Sequence, residues 1–355
     1  MQSSPPFSLV LSGGGLKGLA HVGVLQALEE HGLVPSLVVG SSMGALVAAG
    51  WAAGVPVSEL VARAHRVRRR DVFQVAHADM AIRRLKAPAV YRREPLDALI
   101  RDLVGDRTFH DLIHPLVVNT VDIDSGMQVL WGLPGLRDAR VADAVFASCA
   151  LPGIFPPREI AGGYYADGAV VENLPVRIAA AAGTGPVVAV NVSSTSVLRT
   201  EVRAGGFAAT YIRGLEIVMQ TMMEAQLRGW DRPPLLLVHP RVEHVSMFSF
   251  DHSRELLEEG RRAMTAAIPA LRECFAVEAR GIYPQKRVVV QLDRELCIGC
   301  GACVMHAPDV FRLDGGGKAE VIAPRQVWSP LDGAYVRNCP TFAISARLAA
   351  GPAAD

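Results

Sequence analysis

Gly40-Ser41-Ser42-Met43-Gly44 follows the apolar run Leu37-Val38-Val39 and precedes Ala45-Leu46-Val47-Ala48-Ala49, and the fold turns on how this join is read. The pattern predicts a buried strand, a sharp turn and a helix, with Ser42 between two flanking glycines, Gly40 and Gly44. A nucleophile elbow requires this spacing, because the turn is too tight for side chains at those neighbours and leaves the hydroxyl exposed. Ser42 is then the candidate nucleophile. Glycine and serine are also common in ordinary strand-to-helix turns, so the rest of the chain must separate the two readings.

Upstream, Phe7-Ser8-Leu9-Val10-Leu11 predicts a first buried strand, and Ser12-Gly13-Gly14-Gly15-Leu16-Lys17-Gly18 leads into a helix from about Leu19 to His31. The glycines fit the G-x-G-x-x-G dinucleotide fingerprint, which also needs an acidic residue at the end of the second strand to hold a ribose hydroxyl. That strand ends in Gly40-Ser41-Ser42 instead, so the nucleotide reading lacks its second half. Backbone N–H groups at a helix N-terminus also stabilise a developing negative charge, which makes the loop a candidate oxyanion hole. Parallel pairing of the first two strands would bring Gly13, Gly14 and Gly15 beside Ser42 at the carboxyl ends of the sheet, where open α/β folds place their ligands. Lys17 either adds a positive charge there or is a solvated lysine at the helix start.

With 36 basic against 35 acidic residues among 355, the net charge is +1, and composition gives no support for nucleic acid as a partner. The chain is long enough for one large domain and a small one. Met1 to Pro6 lacks a basic region leading into an apolar core, so a cytoplasmic protein is expected. The uncharged stretch Ser36 to Ser58 contains Gly40, Gly44, Gly50, Gly54 and Pro56, which suits a buried strand and helix better than a membrane span. From Arg63 to Arg93 the chain turns basic, and apolar neighbours such as Val67, Val72, Phe73 and Ile82 are interleaved. Such a run is either a solvated face or a peripheral contact with anionic lipid headgroups.

Downstream, Leu116 to Asp122 predicts a buried strand with Gly126 to Trp131 as its hairpin partner, and a helix from Val141 to Ser148 must end at the prolines of Leu151-Pro152-Gly153-Ile154-Phe155-Pro156-Pro157. Asp167 then falls in a turn, with Gly168 as the permissive residue. A turn aspartate is ordinarily a turn former, but a serine nucleophile needs a base, and a carboxylate serves once burial raises its pKa towards neutrality. Pro186 to Val192 predicts a further strand, and the coarse pattern is βαβα with parallel connections.

Together, Gly13-Gly14-Gly15-Leu16-Lys17-Gly18, Gly40-Ser41-Ser42-Met43-Gly44, Ala147-Ser148-Cys149-Ala150-Leu151-Pro152-Gly153-Ile154-Phe155-Pro156-Pro157 and Asp167-Gly168-Ala169 resemble the patatin-like phospholipases, over about Phe7 to Cys274. The resemblance implies a three-layer α/β/α hydrolase of acyl esters, with a Ser-Asp dyad in place of a triad. By motif position it implies Ser42 as nucleophile, Asp167 as base and the Gly13 to Gly18 loop, including Lys17, as oxyanion hole. The competing α/β-hydrolase triad would use Ser42, Asp167 and one of His239, His244 or His252, yet nothing in the sequence places a histidine beside Ser42. Met219, Met222 and Met223 on a helix from Tyr211 to Arg228 either line an acyl pocket or pack in the core. A further helix from about Ser253 to Phe275 closes a domain set at residues 7–280.

Four of the six cysteines crowd the last sixty residues: Cys297, Cys300 and Cys303 at spacings of three, and remote Cys339 before Pro340. In two-cluster ferredoxins a fourth cysteine follows three residues after the third; here that slot is Ala307, so one cluster is expected, closed by Cys339. Residues from about Arg287 to Arg347 resemble the small single-cluster bacterial ferredoxins, which implies one 4Fe-4S cluster in a small α+β domain, set at 286–348. Zinc held by four cysteines is the alternative, although zinc sites usually pair two C-x2-C knuckles. The tail 349–355 is expected to be disordered. The function expected is a serine acyl hydrolase cleaving lipid acyl esters, phospholipid or lysophospholipid, with a ferredoxin domain for redox regulation or for electron transfer to a partner protein. The alternative is a redox-sensing or electron-transfer protein whose hydrolase-like half mainly binds lipid or a partner.

Overall fold

The computed structural model describes residues 5–75, 89–193 and 206–349. Part of the basic segment, residues 76–88, and residues 350–355 of the tail lie outside the described residues. The chain forms two compact units, Met1–Arg280 and Gly281–Asp355.

In the first unit the named elements are β1 (Ser8–Leu11), α1 (Ala20–Glu30), β2 (Leu37–Ser41), α2 (Met43–Ala52), α3 (Val57–Arg66), α4 (Glu94–Val104), β3 (Leu116–Asp122), β4 (Gln128–Trp131), α5 (Val141–Cys149), β5 (Arg158–Ile160), β6 (Gly163–Asp167), α6 (Val176–Ala182), β7 (Val187–Val190), α7 (Gly206–Leu227), β8 (Leu235–Val238) and α8 (Ser253–Cys274). The sheet order is β5-β6-β3-β2-β1-β7-β8, with β4 also paired to β3. Strands β1, β2, β7 and β8 are buried along their whole length, which suits their unbroken apolar sequences: helices cover both faces.

Strand alternation shows the two faces. Ser8 and Leu37 stand side by side in the β1–β2 register, as do Leu11 and Gly40 one face over. Ser8 Oγ donates to the Ala179 carbonyl of α6 at 3.4 Å, whereas a Cβ at Gly40 would stand 2.5 Å from Ala45 Cα in α2. Helices α6 and α2 therefore sandwich the sheet in three layers.

The expected parallel pattern fails only at β5 and β6, since antiparallel β4 is the hairpin partner expected of β3. Strands β3, β2, β1, β7 and β8 are parallel, but β4 and β6 run antiparallel to β3, and β5 antiparallel to β6. The physical reason is the short Ala161–Gly162 turn, with φ of 51° and 86°, which can only reverse the chain into a hairpin. Among the described residues no helix is long and apolar enough to cross a membrane.

The second unit is α+β. Strands β9 (Lys286–Leu292), β12 (Arg325–Trp328) and β13 (Ile344–Leu348) form an antiparallel sheet in the order β12-β9-β13, and β10 (Phe311–Leu313) pairs with β11 (Ala319–Val321). Two short helices, α9 (Ala302–His306) and α10 (Ala334–Arg337), complete it. Its core is Val290, Val310, Phe311, Tyr335 and Ile344, against which Cys303 and Cys339 pack. Ordered pairing runs one residue past the boundary set from sequence, since Ala349 N–H donates to the Arg287 carbonyl at 2.9 Å.

Candidate active site

Between β2 and α2, Ser42 adopts φ 53° and ψ −127°, a conformation that costs an L-residue strain and persists only when its surroundings hold it. The holding group is Ser148 on α5. Ser42 N–H donates to Ser148 Oγ at 2.8 Å, and Ser148 O–H donates to the Asn119 carbonyl of β3 at 2.6 Å. The flanking glycines are sterically obligatory, because a Cβ at Gly44 would lie 2.2 Å from the Leu11 carbonyl oxygen and one at Gly40 would strike α2.

Asp167 ends β6 and is 2 % exposed, so the ordinary reading of an exposed turn aspartate does not apply. Ala169 N–H donates to its Oδ1 at 2.9 Å. Burial outweighs this bond and the nearby Ser42 hydroxyl, both of which favour the carboxylate, and pushes its pKa from 3.8 up to about 7. The neighbouring Cys149 thiol is pushed up as well, by burial first and by the Asp167 charge second.

The glycine loop divides its work. Gly14, Gly15 and Lys17 line one cavity with Ser42 and Asp167. Gly13 N–H is turned to the Asn173 carbonyl at 3.4 Å and Leu16 N–H to that of Met247 at 2.9 Å, whereas among the described residues the N–H groups of Gly14 and Gly15 have no protein partner. Gly13 allows close approach, since its Cβ would stand 3.0 Å from that of Ser42. Gly18 makes room for Met43, whose Cγ would lie 2.3 Å from a Cβ there. Lys17 is 2 % exposed, which removes the solvated-lysine reading. Behind the loop the buried His21 donates Nε2–H to the Ser12 carbonyl at 2.8 Å, and burial lowers its pKa to about 4, so it stays neutral.

The cavity is small, about 80 Å³, and mostly apolar. Phe73 is the hub of its wall, packing on Tyr91, Phe155, Phe248 and Phe250 with ring centroids 4.9–5.9 Å apart. Met219 of α7 lines it too, while Met223 is buried beside Asn191, whose amide reaches its sulfur at 3.1 Å. None of His239, His244 and His252 lines the cavity; His244 and His252 both bond Glu255, at 2.6 and 2.9 Å. Sequence reasoning missed Ser148, Asn119 and the aromatic wall. Ser148 stood inside a quoted motif, but its hydroxyl's target is 29 residues away and is set only by packing.

In the second unit Cys297, Cys300, Cys303 and Cys339, all free thiols, line one cavity of about 20 Å³ with Leu292 and Ile344. Gly299 and Gly301, with φ of 72° and 73°, let the chain wind between the first three cysteines, and a Cβ at Gly299 would stand 2.4 Å from the Gly317 carbonyl oxygen. Among the described residues no group of three or more His, Cys, Asp or Glu side chains closes on a single ion. Four thiols around one apolar-walled cavity are the donor set that an iron-sulfur cluster takes.

Residues 9–180 match the patatin-like phospholipase family, and residues 290–346 match the 4Fe-4S single cluster domain. An uncharacterized NTE family protein of Mycobacterium tuberculosis is 27% identical over 280 residues, covering 74% of this chain and 46% of its own length. A lysophospholipase of Candida glabrata, NTE1, is 26% identical over 301 residues, 76% of this chain and 16% of that protein. The chain thus spans under half the length of these relatives. Among solved structures, VipD from Legionella pneumophila is similar with a TM-score of 0.43 and 16% identity, covering 76% of this chain and 67% of VipD. Residues 9–180 belong to the patatin-like phospholipases and residues 290–346 to the 4Fe-4S single cluster domains, two families joined in one chain.

Proposed function

We propose that the first unit is a serine acyl hydrolase of lipid acyl esters that works with a Ser42-Asp167 dyad. The observation that carries this reading is the buried Asp167 carboxylate, raised to about 7, lining one cavity with a serine held at a strained elbow. A base of that pKa takes a proton near neutral pH without needing a histidine.

Asp167 accepts the Ser42 proton as Oγ bonds to the ester carbonyl carbon. The tetrahedral oxyanion is held by the N–H groups of Gly14 and Gly15 and by that of Met43, the residue after the nucleophile. The C–O bond to the alcohol breaks, Asp167 returns the proton to the leaving oxygen, and an acyl-Ser42 ester remains. Water, deprotonated by Asp167, then frees the carboxylic acid and restores Ser42. Lys17, inside the same wall, adds positive charge to the neighbourhood of the oxyanion. The apolar wall suits an acyl chain, and the name of the Candida glabrata relative supports a lysophospholipid or phospholipid as substrate.

In the second unit Cys297, Cys300, Cys303 and Cys339 would hold one 4Fe-4S cluster, which supplies one-electron transfer when bound. Ester hydrolysis consumes no electrons, so the cluster serves regulation, a redox partner or the bracing of the fold. The exposed Arg68, Arg69 and Arg70 belong to the described part of the proposed contact with anionic lipid. The test measures hydrolysis of lysophospholipid, phospholipid and simple esters by wild type and Ser42→Ala, with the cluster oxidised and reduced. A loss of at least about a thousandfold is expected for Ser42→Ala. Equal rates in both proteins would end the hydrolase reading and favour a lipid-binding redox protein.

A further inference from the structure

The catalytic cavity is small, about 80 Å³. A second cavity of about 340 Å³ adjoins it. Met43, Val72 and Leu96 line both, so these three side chains are the partition between them. Its floor is the apolar faces of α1 to α4, including Leu46, Leu60, Ala64 and Leu103. The partition residue next to Ser42 is a methionine, the side chain best able to swing aside.

We propose that this second cavity takes the acyl chain of the ester substrate, past Met43. The inference rests on the hydrolase reading above, and it names the part of the substrate that the larger of the two cavities would hold. The acyl group is the half that stays on Ser42 while the alcohol leaves, so it is the half that suits the apolar floor of the adjoining cavity. A phosphate headgroup does not suit the rim. Its arginines are already paired, Arg63 with Glu59 at 2.9 Å and Arg66 with the same carboxylate at 3.2 Å, and Asp71 and Asp102 add two further negative charges. Longer acyl chains, which can fill the second cavity, are therefore preferred over butyryl.

The test compares kcat/KM for p-nitrophenyl butyrate, octanoate, dodecanoate and palmitate in wild type, Ala64→Phe and Val67→Phe, both residues lining the cavity. Each buried methylene is worth about fourfold, so a phenyl ring that excludes two or more should lower the dodecanoate-to-butyrate ratio by at least about tenfold. Isothermal titration of dodecanoic acid into the full chain bearing Ser42→Ala, with and without Ala64→Phe, reads the cavity without turnover. Weakened binding in the double variant supports the assignment even if no ester is hydrolysed, which would sink the hydrolase reading alone. Hydrolysis with no chain-length preference in wild type, or an unchanged ratio and unchanged binding in variants that melt like wild type, overturns the cavity assignment and leaves the hydrolase reading intact.

Discussion

Replacing Asp167 by asparagine should inactivate the enzyme and stabilise the fold at the same time. In the unfolded chain the carboxyl titrates near 3.8, and in the fold at about 7, so the folded state binds this proton more tightly. The stability this confers is complete below pH 4, is lost as pH rises to 7, and is absent above. Shifting the group that far costs the ionised folded state about 4 kcal/mol at pH 8. Asparagine carries no charge to desolvate, and its carbonyl oxygen can still accept the Ala169 N–H that now donates at 2.9 Å. The variant should melt up to about 10 °C higher than wild type at pH 8 and at nearly the same temperature at pH 4. Wild-type kcat/KM should run the other way, falling about tenfold per pH unit below 7 as the base is protonated. Differential scanning calorimetry from pH 4 to 8, with ester turnover beside it, reads both. A variant no more stable than wild type at pH 8, or one that keeps the wild-type slope of stability with pH, would refute the burial argument.

Gly44→Ala would set a Cβ 2.2 Å from a backbone oxygen that cannot yield, so a loss of about 1–3 kcal/mol or more is expected in denaturant titration, with activity lost in parallel. Ser148→Ala removes the acceptor for Ser42 N–H and the donor to the Asn119 carbonyl; it should cost about 1–3 kcal/mol and lower kcat while leaving KM nearly unchanged. His244→Ala should keep nearly full ester turnover, because that histidine bonds Glu255 rather than Ser42; a loss comparable with Ser42→Ala would restore the triad. Anaerobic reconstitution of wild type should yield about four irons and sulfides per chain, and Cys339→Ala should lose iron and visible absorption; zinc in place of iron would overturn the cluster assignment.

The elements nearest the elbow were legible because their signals are local. Strand β2, its glycines and helix α2 follow from apolar runs and a turn that nothing larger than glycine can flank. The four cysteines were legible for the same reason. What the sequence could not carry was burial at a distance. Lys17 reads as a surface residue by type, yet it is enclosed by elements far along the chain, as its pocket neighbours Glu216 and Met247 show. The division of labour in the glycine loop was equally hidden, because Gly13 and Gly18 are required by the side chains of Ser42, Asn173 and Met43 rather than by any turn.

The antiparallel hairpin β5–β6, which the βαβα reading did not anticipate, is what brings Asp167 to the level of the elbow. In a parallel sheet every strand ends at the same rim. Strand β6 instead pairs only with the last part of β3, Tyr165 against Asp122 and Asp167 against Thr120, so it enters from the rim and ends inward. The neighbouring register sets Ser41 against Asn119, one residue before Thr120, so the base arrives at the level of the elbow across a single strand. Direction thus sets the level of Asp167, burial raises its pKa, and a carboxylate titrating at about 7 is what the proposed Ser42-Asp167 dyad requires of its base.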